Sequence, residues 1–271
     1  MPEVLLPNGI TVSCLQKHDV AIVNAEVQTY FENGITVNTG DTVIDVGANI
    51  GLFALAAWTR TQGDIKIHCL EPIAPIFEVL KKNLNRYDDQ CFTAHSFGLS
   101  NISGSVEFAY YPNAPVLSGA YPDDKADQEE IKQATLTNII YMSEAPVQLK
   151  FLKLLPRRLR EFVLDKALQH TLQYNTVLCE LKTLSQFIAE QEITSIDLLK
   201  IDAEKAELDI LLGIEGEDWP RIRQIVVDVH DIENRLEYVL NMLSENGFQK
   251  ITVEQPPTLI GSTIYTLLAI R

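Results

Sequence analysis

Residues 42–51 read Thr42-Val43-Ile44-Asp45-Val46-Gly47-Ala48-Asn49-Ile50-Gly51, and this stretch decides the fold class. The apolar run Val43, Ile44, Val46 suits a strand (43–46) buried on both faces of a parallel sheet. It breaks at Gly47 and passes into Ile50-Gly51-Leu52-Phe53-Ala54-Leu55-Ala56-Ala57, which reads as a helix over 51–61. Glycines at 47 and 51 let the backbone turn sharply and let a ligand and the helix pack close to it. A strand, a tight glycine turn and a helix N-terminus make a nucleotide-sized ligand site at the carboxyl edge of a sheet.

The spacing of the turn narrows the ligand. A dinucleotide (NAD-type) fold expects Gly-x-Gly-x-x-Gly. The matching positions here are Gly47, Asn49 and Leu52, so two of the three glycines are missing. S-adenosylmethionine (SAM) enzymes of the Rossmann-like class carry an acidic residue followed by a G-x-G-x-G-like turn. Asp45, Gly47, Asn49 and Gly51 fit that spacing, with Asn in the middle slot. Asn is the residue after Gly that best tolerates a left-handed backbone, so the exchange is mild. Ile65–Leu70 is a second apolar strand, and Glu71-Pro72 follows at its tip. An acid there can accept both ribose hydroxyls of an adenosine, in SAM and NAD enzymes alike. Pro72 cannot donate to a ladder and stops the strand.

Composition sets the class around this motif. A chain of 271 residues can bury a full core, and one domain over 1–271 is expected. The net charge of −15 argues against nucleic acid held by a general electrostatic footprint. No apolar stretch reaches the roughly 20 residues of a membrane helix, and the N-terminus lacks a signal peptide's pattern. Cys14, Cys69, Cys91 and Cys179 show no Cys-x-x-Cys spacing. Free thiols in a cytoplasmic protein are expected.

Along the chain, Asn8-Gly9 marks a hairpin within an N-terminal extension (1–40), and Asp19 is placed to cap a helix over 20–31. A helix over 74–86 follows the second strand. Strands follow at 91–97, which ends at Gly98-Leu99, and at 105–110. Residues 112–178 break the rhythm with prolines, an acidic run and long helical patterns, and read as a helical lid insertion over the ligand edge. The sheet resumes with a helix at 183–190, a strand at 196–201 and a helix at 205–212 closed by Gly213. A strand at 225–229 with His230-Asp231 at its tip and a helix at 235–246 follow. Strands at 251–253 and 264–270 close the sheet as an antiparallel pair across a Pro-Pro loop. That closing pair is unusual for an NAD-binding domain and typical of SAM-dependent methyltransferases.

The ordered set of motifs resembles a known family. Asp45-Val46-Gly47-Ala48-Asn49-Ile50-Gly51, Glu71-Pro72 and Leu198-Leu199-Lys200-Ile201-Asp202-Ala203-Glu204, followed by Ala206-Glu207, resemble FkbM-type methyltransferases. Asp218-Trp219, Val229-His230-Asp231, Arg235-Leu236 and Val253-Glu254-Gln255 are similar to O-methyltransferases built into, or acting beside, polyketide and nonribosomal peptide synthases. The likeness runs from Leu6 to Arg271. It implies an α/β, Rossmann-like class I fold with a mainly parallel seven-stranded sheet, and SAM as cofactor. Asp45, Gly47, Asn49, Gly51, Glu71, Pro72, Gly98, Leu99 and Asp202 would hold that cofactor. The implied reaction is methylation of a hydroxyl on a secondary metabolite or a carrier-tethered intermediate. An NAD oxidoreductase, and a partner protein that keeps the pocket without catalysis, are the alternatives. Lys205 departs from the pattern, since the wider family commonly has glycine there.

Transfer to a hydroxyl is helped by a base that takes its proton. Neighbouring fourth and fifth strands would bring Asp202, Glu204 and His230 together. His230 is the expected base, with Glu204 or Asp202 orienting its other ring nitrogen. A divalent ion would need more oxygen ligands than the sequence assigns, and no metal is expected. His18, His68, His95 and His170 have no such setting. Lys150, Lys153, Arg157, Arg158, Arg160 and Lys166 crowd one short stretch against the prevailing charge, interleaved with apolar residues. Two uses suit it, a pocket cover and a dock for an acidic acyl or peptidyl carrier protein.

Overall fold

The computed structural model describes residues 1–32, 34–88, 90–137, 151–255 and 259–271. The chain opens with a hairpin, β1 (Glu3–Leu5) and β2 (Thr11–Ser13), turned at Asn8-Gly9 with Gly9 at φ 86°. Helix α1 (Lys17–Glu32) starts three residues before the expected position, so Asp19 lies inside its first turn and does not cap it. Strand β3 (Thr42–Val46), helix α2 (Leu52–Arg60), β4 (Lys66–Leu70), α3 (Ala74–Tyr87) and β5 (Phe92–His95) follow in the expected alternation.

After β5 the chain leaves the main sheet. Strands β6 (Gly98–Leu99) and β7 (Gly104–Tyr110) precede helices α4 (Lys125–Thr137) and α5 (Arg157–Thr171), then β8 (Asn175–Lys182). β6, β8 and β7 form a separate three-stranded sheet. The helical insertion therefore ends before Asn175 and not at 178. Cys179 and Leu181 turn inward while Leu178 and Glu180 turn out, the period-two pattern of a half-buried strand. Residues α6 (Leu184–Glu190), β9 (Leu198–Ile201), α7 (Glu207–Leu212), β10 (Gln224–His230), α8 (Arg235–Glu245), β11 (Lys250–Glu254) and β12 (Ile264–Ile270) complete the chain. The Pro-Pro step between β11 and β12 lies outside the described residues.

The main sheet has seven strands in the order β11-β12-β10-β9-β3-β4-β5. Its pairs are parallel from β10 to β5, and β12 runs antiparallel to both β10 and β11. From β3 the chain winds outward through β4 and β5, then returns to β9 on the other side of β3. β3 and β9 thus flank the point where the winding reverses, and the crevice at their carboxyl ends is where such sheets bind ligands. Val43 packs in one core with Leu198 and Val226, and Ile44 in the other with Leu199 and Val227. All six are essentially buried, each contributing about 1.5–3 kcal/mol of apolar burial. Helix α2 is buried from Leu52 to Ala57, and α1 covers it, with Phe31 stacked on Phe53. Cys14, Cys69, Cys91 and Cys179 are free thiols. Among the described residues no helix is long and apolar enough to cross a membrane.

Candidate active site

A cavity of about 280 Å³ opens at the carboxyl edge between β3 and β9. Its cofactor side is the glycine turn. Gly47, Asn49 and Gly51 all take positive φ (71°, 48° and 90°), so Asn49 adopts the left-handed backbone expected of the middle slot. The glycines do different work. A Cβ on Gly47 would sit 1.8 Å from the carbonyl oxygen of Asp202, so this glycine lets the β3 and β9 loops touch. A Cβ on Gly51 would meet Leu80 of α3 at 2.9 Å. Gly51 is a helix-packing residue and is not in the cavity wall.

Glu71 lines the cavity at the tip of β4 and is nearly buried. One carboxylate oxygen accepts Asn49 N–H at 3.2 Å and the other accepts Ile73 N–H at 2.9 Å. Burial pushes its pKa up to about 7, against the backbone hydrogen bonds that pull it down. Each oxygen keeps a lone pair for a ribose hydroxyl, so the residues present fit an adenosine. Pro72, Gly98 and Leu99 continue the wall. Gly98 sits in a crowded spot, where a Cβ would meet the Leu181 side chain at 2.9 Å and Pro72 at 3.4 Å. Glu71→Ala is expected to weaken SAM binding at least tenfold in a folded variant. A hydrogen bond to a charged acceptor is worth about 1.5–3 kcal/mol, and calorimetric titration measures it. Unchanged affinity would refute the ribose assignment.

Asp45 does not reach the cavity, contrary to its expected place on the cofactor. It is fully buried within the sheet and faces Lys200 at 3.3 Å. Lys200, which carries no role in the motif reading, donates from Nζ to the carbonyl of Gly47 at 3.0 Å and lies 3.4 Å from Asp202. Asp45 therefore acts on the turn through Lys200. Burial works against the ammonium, but Asp202, Asp45 and Asp228 outweigh it and hold Lys200 charged.

Parallel pairing of β9 with β10 brings Asp202, Glu204 and His230 to one cavity. Their contacts differ from the expected ones. Nε2 of His230 lies 3.7 Å from Glu204, while Nδ1 faces Glu207 at 3.3 Å. Asp202 is paired with Lys200 and orients neither ring nitrogen. Glu207, quoted in the sequence without a role, begins α7 and is 1% exposed. Burial alone would lower the His230 pKa, but Glu207, then Glu204 and Asp202, raise it to about 9. Burial raises Glu204 to about 8, although His230 pulls it down. Without ligand, His230 is an imidazolium at neutral pH.

The loop that carries Glu204 is held from three sides. Glu204 and Lys205 are consecutive non-glycine residues at positive φ, 47° and 75°. Lys205 Nζ meets Asp123 and Asp127 at 2.7 Å each, its N–H donates to Glu207 at 2.9 Å, and its carbonyl accepts from Arg235 at 2.7 Å. Beside His230, Asp228 accepts from Thr266 at 2.5 Å and from Tyr30 of α1. Burial and Asp202 raise the Asp228 pKa to about 7.

Among the described residues, neither α4 nor α5 contributes to the cavity wall. The insertion's share of the wall, among those residues, is Pro115–Gly119, and α1 supplies more, including Val20, Val23, Glu26 and Tyr30. Helix α5 buries Leu164 against Leu152 and leaves Leu159, Phe162 and Val163 exposed. Arg157 is exposed and paired with Glu161 at 2.9 Å, Arg158 is exposed, and Arg160 is half-buried against the Leu155 carbonyl. Lys150 and the side chain of Lys153 lie outside the described residues.

Residues 45–250 match the methyltransferase FkbM domain. The 31-O-demethyl-FK506 methyltransferase FkbM of Streptomyces tacrolimicus is 33% identical over 274 residues, spanning 98% of this chain and 95% of that protein. The AMB antimetabolite synthetase AmbE of Pseudomonas aeruginosa is 32% identical over 99% of this chain, which corresponds to 12% of the synthetase. Methyltransferase sdnD of Sordaria araneosa is 27% identical over 91% of this chain and 89% of that one. The glycine turn, the strand-tip glutamate and the reversed sheet winding all fall within the matched span, and the chain belongs to the FkbM methyltransferase family, whose methyl donor is S-adenosylmethionine.

Proposed function

We propose that this methyltransferase transfers the methyl group to oxygen, with His230 as the base, on a hydroxyl of a secondary metabolite or a carrier-tethered polyketide or peptide intermediate. The observation that carries the reading is the placement of His230. Nε2 looks into the cavity beside Glu204, and Nδ1 looks away from it toward Glu207. When bound, SAM supplies a methyl carbon activated by a sulfonium. Held beside Gly47, Asn49 and Glu71, it would offer that carbon to the acceptor oxygen, and Nε2 of His230 would take the proton the hydroxyl gives up. With Nε2 and Glu204 3.7 Å apart, a hydroxyl oxygen seated beside the pair on the cavity side is within hydrogen-bond reach of both. A relative named as a 31-O-demethyl-FK506 methyltransferase, and another contained within a synthetase, support oxygen and a synthase-linked acceptor.

The carrier part of this reading rests on α5. Its Arg157, Arg158, Arg160 and Lys166 outnumber Glu161 and Asp165 in a chain of net charge −15, and exposed apolar residues run beside them. Charge complementarity acts chiefly on encounter rate and is screened over about 8 Å at physiological salt. Reversing Arg157 and Arg158 to Glu is expected to slow methylation of a hydroxyacyl group on a carrier protein. The same group on free pantetheine should react at the wild-type rate. Equal losses on both substrates in steady-state assays would end the docking idea.

A further inference from the structure

The His230 ring has two nitrogens in different surroundings, and only one of them belongs to the cavity. Nε2 points to Glu204, which lines the cavity, whereas Glu207 opposite Nδ1 is sealed in the core at 1% exposure. We propose that Glu207 is the positioning residue of the reaction centre: it holds the proton on Nδ1 of His230, so that the Nε2 lone pair is the one turned to the acceptor hydroxyl. This deepens the reading of His230 as the base and rests on it.

Several features make Glu207 suited to that role. It stands at the start of α7, where backbone N–H groups favour a carboxylate. Oε1 already accepts the N–H of Lys205 at 2.9 Å, and that same oxygen lies 3.3 Å from Nδ1. One fixed atom therefore sets both the loop that carries Glu204 and the ring that Glu204 faces. Asp202 is excluded from this part because Lys200 engages it. Nδ1 is buried and makes no hydrogen bond of strict geometry, so the 3.3 Å approach of Glu207 Oε1 is the polar contact open to it. The remaining charges around His230 are Asp202 and Glu204 on the β9 side, Asp228 two residues earlier on β10, and Glu26 across the cavity on α1. The buried cation Lys200 is tied to Asp45 and Asp202.

The test reads the ring directly and needs no acceptor. The protein has five histidines, and the His230 signal is the one missing from a His230→Gln spectrum. Glu207→Gln keeps an oxygen for the Lys205 N–H and removes only the charge. Its His230 titration midpoint is expected to fall by about one pH unit or more, a tenfold change in proton affinity. The ascending limb of kcat/KM should move to lower pH with it, while the KM for SAM stays put. A merely structural glutamate would shift the melting temperature and leave both midpoints where they are, and that result would overturn the proposal. The wild-type protein gives an independent readout. Above the midpoint, nitrogen-15 spectra should show the neutral ring protonated on Nδ1, and protonation on Nε2 would overturn the proposal whether or not the variant folds. Full turnover in His230→Ala would sink the base reading alone, leaving the Nδ1 assignment to stand or fall on the spectra.

Discussion

His230→Ala is expected to lose about 10²- to 10⁴-fold in turnover, the usual contribution of a general base, while SAM binding persists. The side chain lies at the tip of β10, and its ion-pair partners are Glu204 and Glu207 rather than the glycine turn or Glu71, so the cofactor contacts should survive its removal. Its charge gives the reaction a pH dependence of definite sign. Glu207, Glu204 and Asp202 overcome burial and raise the His230 pKa to about 9, so the free enzyme holds the wrong protonation state at neutral pH. kcat/KM, which reports the free enzyme, should therefore rise with pH toward about 9. The positive charge of bound SAM disfavours an imidazolium, so the limb of kcat should lie at lower pH than that of kcat/KM. A flat profile, or one that falls with rising pH over this range, would remove His230 as the base.

Gly47→Ala should damage both stability and cofactor binding. Its Cβ would lie 1.8 Å from the Asp202 carbonyl oxygen, and its φ of 71° is one that alanine adopts only with strain. The left-handed backbone costs about 1–2 kcal/mol and overpacking about 1–3 kcal/mol. For a chain of this size the melting temperature should fall by on the order of 10 °C. Relief requires the β3 and β9 loops to part, which moves Asn49 and Asp202 in the cavity wall, so SAM affinity should fall at least tenfold. Gly216→Ala is the control, because nothing lies within 4 Å of the added carbon. Scanning calorimetry and SAM titration of the two variants separate the effects.

What the sequence made legible was mostly local. The turn at Gly47 and Asn49 could be read because backbone conformation limits the residue types it accepts. Glu71 could be read because a strand tip fixes its position, and the pairing of β9 with β10 followed from topology. The failures share one cause, which is direction. The motif puts Asp45 on the cofactor, but its side chain is buried beside Lys200 of β9 and stops short of the cavity. Glu207 was visible beside Ala206 and had no role, because its contact with His230 exists only once α7 packs on β10. Strand β8 went unread because Leu178 on its outer face masks the alternation of Cys179 and Leu181. The insertion reads as a helical cover for the cavity, yet among the described residues α5 packs on Leu152 instead.

Methyl transfer to oxygen at His230 leaves a direct chemical signature in the product. It is tested most directly with SAM carrying a carbon-13 methyl group, a hydroxyacyl-pantetheine acceptor, and carbon NMR of the product. The label should appear as a methoxyl carbon with the wild-type enzyme and be lost with His230→Ala. Label on nitrogen or on carbon, or a methoxyl signal undiminished in His230→Ala, would contradict it.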